Sequence, residues 1–315
     1  YDYDKHHFKL MDCLNMDYMV FFMGLCPAMA LHYGDLQTVS DSFDKMAGLI
    51  PRILAEPNQV PEMIGRFTAN GQVWPYLLGK GEQMVTVMSE CLGHSWTAID
   101  AACDAFTDDA DNNPYTSPRG QAGTGPWPGS MDLFSWCIKL NLALCAGDRA
   151  VSKEEVKQSL PSPTVLSGYG RKSPDAPGGD VQSAPFHCFM SPQLLAALVC
   201  EKYDMDDEAL AFVAVIHDLD PNLGGDAKPS SHILGHCLKG RVLARRGQLK
   251  AAAAAFEEAV SQSEKYKLWL LTAFALRDLK LCVLDGMGHG DHGSRRLGAV
   301  LRRLKGPSEK LSELL

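Results

Sequence analysis

The feature that most narrows the fold is a short turn that recurs between apolar stretches. It reads His32-Tyr33-Gly34-Asp35-Leu36, Ala146-Gly147-Asp148, Lys202-Tyr203-Asp204-Met205 and Arg246-Gly247-Gln248-Leu249. A glycine in such a turn supplies the left-handed residue that ends one helix and lets the chain reverse into the next. Two antiparallel helices then bury their facing sides, but one pair cannot cover its own core. Pairs must therefore stack.

The text between the turns has the helical period. Leu194, Leu195, Leu198 and Val199 follow the 3.6-residue spacing after Ser191-Pro192, an N-cap with proline in the first turn. Leu238, Val242, Leu243, Leu249, Phe256 and Ala259 continue the habit around Gly247. Trp269, Leu270, Phe274 and Leu281 mark another helix, closed by Asp285-Gly286. Alternating Val, Ile and Thr text is nearly absent, so the expectation is an all-α chain.

Glycine and proline interrupt this text twice, over Thr107–Ser130 and Pro161–Pro185, where proline forbids continuous helix. The chain thus divides into a helical block 1–106, a loop 107–130, a helical hairpin 131–160, a loop 161–189, and paired helices with a terminal helix over 190–315. Tyr115, Trp127, Val165, Leu166 and Tyr169 lie in the two loops. Both are therefore expected to cover helices or a partner rather than act as solvated linkers.

The segment from Met190 onward resembles the tetratricopeptide repeat, a helix–turn–helix unit of about 34 residues. In LGHCLKGRVLARRGQLKAAAAAFEEAV, Gly240 falls on the family's small first-helix residue and Gly247 on its turn glycine. Ala252, Phe256 and Ala259 take the small, aromatic and small positions of the second helix. One unit earlier, Ala197 and Ala209 take small positions, Asp204 replaces the turn glycine, and Leu219-Asp220-Pro221 closes the unit. A looser match covers 20–50 through the separation of Gly34 and Phe43. Ala197 to Gly240 is longer than one repeat, and Leu223–Ser231 reads as the insertion.

The resemblance implies an α-α solenoid of stacked helical hairpins whose first helices line a groove for peptides or partner subunits. On this chain the groove-facing residues would be Leu194, Leu198, Glu201 and Lys202, then Leu234, Cys237, Arg241 and Arg245, then Leu271, Ala275 and Asp278. The Lys/Asn constellation with which some members clamp a C-terminal carboxylate is not among them.

Enzymatic constellations are weak. His289, Asp291 and His292 could ligate zinc or iron, and partly resemble the HxHxDH motif of metallo-β-lactamase-like hydrolases, but Met287 stands where the first histidine belongs. His232 and His236 share a helix face without the glutamate of HExxH. His187-Cys188 lacks an obvious acid partner. The run Gly120–Gly125 lacks the Lys-Ser/Thr of a phosphate loop. No CxxC pair occurs among the ten cysteines, which read as buried apolar residues of a chain from a reducing, intracellular compartment. No cofactor or metal is expected.

Charge is uneven. The chain carries a formal charge of −8. From Lys239 to Leu315 it holds 15 basic and 8 acidic residues, whereas 1–238 hold 15 and 30. In the last helix Leu297, Leu301 and Leu304 share one face, and Arg295, Arg296, Arg302, Arg303 and Lys305 lie around the other. That helix is expected to cap the stack. The acidic total argues against nucleic acid as a partner. The longest apolar run, Met19–Leu31, is too short to cross a bilayer, which leaves peripheral membrane association open. A chain that starts at Tyr1 rather than Met reads as processed or trimmed.

The resulting expectation is a non-enzymatic interaction scaffold or assembly subunit of a larger complex. Its recognition residues are Lys202, Arg241, Arg245, Asp278, Arg295, Arg296, Arg302 and Arg303, and its protein partner is acidic. Two alternatives are a regulatory module of a larger signalling protein and a metal-dependent hydrolase using the 289–292 cluster.

Overall fold

A computed structural model describes Tyr76, Leu140, Ala143, Leu144 and residues 151–160, 162–163, 192–218 and 227–304. The 1–106 block apart from Tyr76, the 107–130 loop, the 161–189 loop apart from 162–163, the turn at Ala146 and His187-Cys188 lie outside the described residues. Among those described the chain is all helical, with seven α-helices. They are α1 (Lys153–Ser159), α2 (Pro192–Lys202), α3 (Asp206–Asp218), α4 (Ala227–Arg245), α5 (Leu249–Lys265), α6 (Trp269–Leu279) and α7 (Gly290–Leu301). A π-helical turn, Lys280–Leu284, extends α6.

Local chemistry accounts for these elements. The alanine run of α5 has the highest helix propensity available, and its buried Ala252, Ala255, Phe256, Ala259, Val260 and Ser263 form one stripe. Ser152 and Glu155 close a capping box at the start of α1. Helices α2 and α6 are apolar nearly all round, because neighbours surround them: Gln193–Cys200 and Leu270–Leu276 are buried without a break.

The helices pack in succession, α2 on α3, α3 on α4, α4 on α5, α5 on α6 and α6 on α7. Alternate helices also touch, because α4 lies against both α2 and α6. Four helix ends share one backbone device. At the end of α2, the Met205 N–H donates to the Cys200 carbonyl at 2.8 Å and the Asp204 N–H to Glu201 at 3.2 Å. The same crossed pair recurs at Gly247 and Gln248, at Lys267 and Leu268, and at Gly288 and His289. Each is a Schellman ending, and the first residue of each pair has positive φ: 53° at Asp204, 73° at Gly247, 58° at Lys267 and 75° at Gly288. Asp204 thus adopts the conformation that glycine adopts at Gly247.

Second helices repeat a pattern counted from these turns. Ala209, Ala252 and Gly293 follow at the same offset, as do Val213, Phe256 and Leu297, and then Ile216, Ala259 and Val300. All are buried except the half-buried Leu297. Gly240 explains how closely α4 and α5 meet. A Cβ placed there would lie 2.7 Å from the ring of Phe256, itself fully buried.

Three boundaries add to the sequence reading. Residues 227–231, within the segment read as an insertion, belong to α4 and lengthen that helix. Gly290 and Gly293 sit inside α7, because the Gly288 turn restarts the helix at once. The terminal helix ends at Leu301, and Leu304 folds under it as a buried residue. Forty-three positions separate Asp204 from Gly247 and 41 separate Gly247 from Gly288, both longer than the 34-residue unit.

The Gly240–Phe256 contact yields a test by chemical denaturation. Phe256→Ala should cost about 3–5 kcal/mol by leaving a cavity. Gly240→Ala should also destabilise, by about 1–3 kcal/mol from overpacking. In an open helix position the same change would stabilise by about 1 kcal/mol. A gain in stability for Gly240→Ala would show that the two helices do not meet there.

Candidate functional site

The most connected polar cluster lies where α2, α4 and α6 face one another. Its residues are far apart in sequence, and helix periodicity brings them to one seam. From α4, Arg241 donates through Nε and Nη2 to the two oxygens of Glu201 on α2, at 2.6 Å each. Its Nη1 donates to Asp278 on α6 at 2.7 Å. The other oxygen of Asp278 is held by Arg277. One turn on, Arg245 reaches Asp206 at 2.5 Å and Glu201 at 3.4 Å, and Arg246 pairs with Asp207 at 2.7 Å.

Burial grades these pairs. Side-chain exposure is 25% for Arg241, 11% for Glu201 and 5% for Asp278, against 40% for Arg245. Burial alone would pull the Arg241 pKa down, but the Glu201 carboxylate, followed by Asp278, more than offsets it and raises the pKa well above its ordinary value. The guanidinium is held charged between two carboxylates.

This geometry corrects the reading of Arg241 and Arg245 as cations awaiting an acidic partner. Their acids come from this chain, 37 to 44 positions away. Lys202 is likewise engaged: its ammonium donates to the carbonyls of Ala143 and Leu144 at 2.9 and 3.0 Å. Asp278 is consumed by two arginines. Four of the eight expected recognition residues therefore serve internal cohesion.

The other four lie on or just beyond α7. Arg296 makes a two-pronged pair with Glu257 on α5. Arg303 stacks on the Trp269 ring, 4.4 Å from its centroid. Among the described residues Arg295 donates to the Asp291 backbone carbonyl, a neutral oxygen, and Arg302 is exposed.

A second cluster joins α3 to α4. His217 stacks on His236 with ring centroids 4.0 Å apart and lies 5.7 Å from His232. Gln262 from α5 approaches His236 at 3.4 Å. The buried Nε2 of His217 faces the α4 backbone, where a Cβ on Gly235 would lie 3.1 Å away. That ring is pressed against the helix and leaves no room for an ion between them. Among the described residues no group of three His, Cys, Asp or Glu is arranged to hold a metal. His289, Asp291 and His292 are all exposed, at the N-cap and first turn of α7.

The remaining chemistry is sparse. Burial pushes the Cys200 and Cys237 thiols up to about 12, so neither is a thiolate nucleophile at neutral pH. A shallow, open pocket of about 400 Å³ is lined by Lys153, Lys157, Asp204, Asp206, Glu208 and Arg245 among others. Its polar groups engage one another: Lys153 donates to the Asp204 backbone carbonyl, Lys157 pairs with Glu208 and Arg245 pairs with Asp206. No helix among the described residues is long and apolar enough to cross a membrane. Sequence reasoning missed His217, Asp206, Arg246, Arg277 and Glu257. None carries a local motif, and each gains its partner only through helix packing. Comparison with protein-family models, with curated proteins and with solved structures finds no match.

The seam and the histidines give two predictions. Arg241→Ala should cost about 3 kcal/mol in urea unfolding, because it takes the shared cation from two withdrawn carboxylates and leaves Asp278 with Arg277 and Glu201 with Arg245 at 3.4 Å. Arg245→Ala should cost under about 1 kcal/mol, as exposed pairs do. Equal losses would make the seam an ordinary surface pair.

For the histidines, burial first, then the charges of neighbouring histidines and Lys239, lower the pKa values of His217 and His236 from 6.5 to about 4. The unfolded chain therefore binds more protons between these values. Stability should fall as pH drops from about 6.5 to about 4, and His217→Leu should flatten that part of the profile. An unchanged slope in the variant would show that the cluster does not set it.

Proposed function

We propose that the chain is a non-enzymatic interaction scaffold or assembly subunit, built on stacked helical hairpins of the tetratricopeptide-like kind. The observation that carries this reading is the repetition of one unit. Three successive pairs, α2–α3, α4–α5 and α6–α7, each turn on a left-handed residue, and α4 lies between the other two first helices. The Glu201–Arg241–Asp278 seam ties those first helices together.

Physical reasoning supports binding rather than chemistry. Hairpin stacks use their apolar faces on each other and present an extended outer surface, which suits recognition of another chain. The titratable groups at the centre of the packing are matched: the arginine is held between carboxylates, and the histidines and thiols are shifted toward their neutral forms. A catalytic acid or base needs a pKa near working pH and an open path to substrate. The unit is longer than the 34-residue repeat, so the kinship proposed is one of hairpin logic rather than repeat length.

Gentle native purification of the tagged full chain, followed by mass spectrometry and light scattering, tests the reading. The expected result is a defined complex with a protein partner in fixed stoichiometry and no stoichiometric metal. A chain that migrates alone under all conditions would overturn the scaffold reading. Zinc or iron bound at one per chain and lost with His289→Ala would replace it with the hydrolase.

A further inference from the structure

We infer that the outward face of α7, carrying Arg295, Arg302 and the adjoining Arg303, is a docking strip for an acidic protein segment; this rests on the scaffold reading and names its surface and partner chemistry. The argument begins with a sorting of arginines. Arg241, Arg245, Arg246, Arg277 and Arg296 each face a carboxylate of this chain. Among the described residues, Arg295, Arg302 and Arg303 have no carboxylate partner. All three are exposed, and all three lie on α7 or in the turn that follows it.

Helix geometry arranges them. Arg295 and Arg302 are seven positions apart on one face, about 10 Å along the axis. Exposed Ala299 stands between them, so the strip is low at its centre and cationic at both ends. A partner backbone can approach there without displacing a large side chain. Carboxylates two helical turns apart on a partner helix match the same spacing. Arg303 is steadied over Trp269, which lowers the ordering cost of engaging it.

The same observations disfavour other occupants. Leu297, Val300 and Leu301 pack inward against the core, so α7 has no free apolar face to insert into a lipid surface. Three cations on a chain of net charge −8 are few for a phosphate backbone, whose specific partners make roughly 6–10 such contacts.

The test uses the full chain and a fluorescent alanine-rich helical peptide with two glutamates seven residues apart, with its lysine counterpart as control. Saturable binding of the acidic peptide, weakened by salt and by roughly tenfold or more in Arg295→Glu/Arg302→Glu, is expected. Lys239→Glu/Lys250→Glu changes the net charge equally at exposed sites elsewhere and should change affinity less than about threefold. Circular dichroism confirms folding of both variants. No saturable binding, or equal weakening by both variants, overturns the assignment. So does tighter binding to a single-stranded oligonucleotide or to phosphatidylserine vesicles than to the peptide. If the native partner is recovered equally with Arg295→Glu/Arg302→Glu, the strip assignment fails while the scaffold reading stands. If no partner is recovered with either protein, the scaffold reading fails and this inference with it.

Discussion

Four of the described helical runs end because single residues adopt a left-handed backbone, and the packing of α2 to α7 depends on that. At Asp204, Gly247, Lys267 and Gly288 the crossed hydrogen bonds satisfy carbonyls that a helix end would otherwise leave open. The reversal is tight, so the next helix lies against the one before it. Only then can Gly240 receive Phe256, and only then does α4 meet both α2 and α6. The Arg241 seam is a consequence of this: Glu201 and Asp278 reach one guanidinium because α2, α4 and α6 share a side. Two of the four turn residues are not glycine. An aspartate and a lysine hold this conformation at a cost of roughly 1 kcal/mol each, which the packing of the joined helices offsets.

What was legible in the sequence was local. Gly247, the Gly240–Phe256 fit and the buried stripe of α5 follow from spacing within one hairpin, and helix periodicity carried the all-α character. The turn at Lys267 was not legible, because lysine gives no sign of positive φ. Gly290 and Gly293 carry no helix signal of their own, although both are helical once the Gly288 turn has restarted the chain. The π-helical turn also had no sequence signal, and it leaves Leu281 exposed at 58% in an otherwise apolar stretch. Among candidate site residues the failure was systematic. Arg241, Arg245 and Lys202 were recognised as notable but assigned to an outside partner, since their acceptors lie 37 to 59 positions away. Pairing at that distance is a property of packing, not of pattern.

The histidine cluster shows the same logic in a neutral form. His217, His232 and His236 fill the α3–α4 contact as flat, half-polar plates, and two of them are kept uncharged by burial and by one another. A phenylalanine would pack similarly. Imidazoles add a dependence on acid that an apolar contact lacks, because a proton on either ring would bring charge into a half-buried contact already facing Lys239.

Position in the hairpin order explains which charges remain available. An arginine on α4 has a first helix on either side, and carboxylates from both neighbours converge on it. Helix α5 supplies Glu257 to Arg296, so the inward-facing side of α7 is matched as well. The outward side of α7 has no following described helix to offer acids, and there the sorting leaves Arg295 and Arg302 exposed. Any arrangement in which each unit satisfies its neighbours concentrates its unmatched groups at an end. Charges at such an end act mainly on the rate and selectivity of association, because they stay hydrated until a partner arrives. Among the described residues the arginines of the C-terminal third are therefore divided between internal pairs and exposed positions. Which role each arginine takes is decided by whether another helix of the same chain lies within its reach.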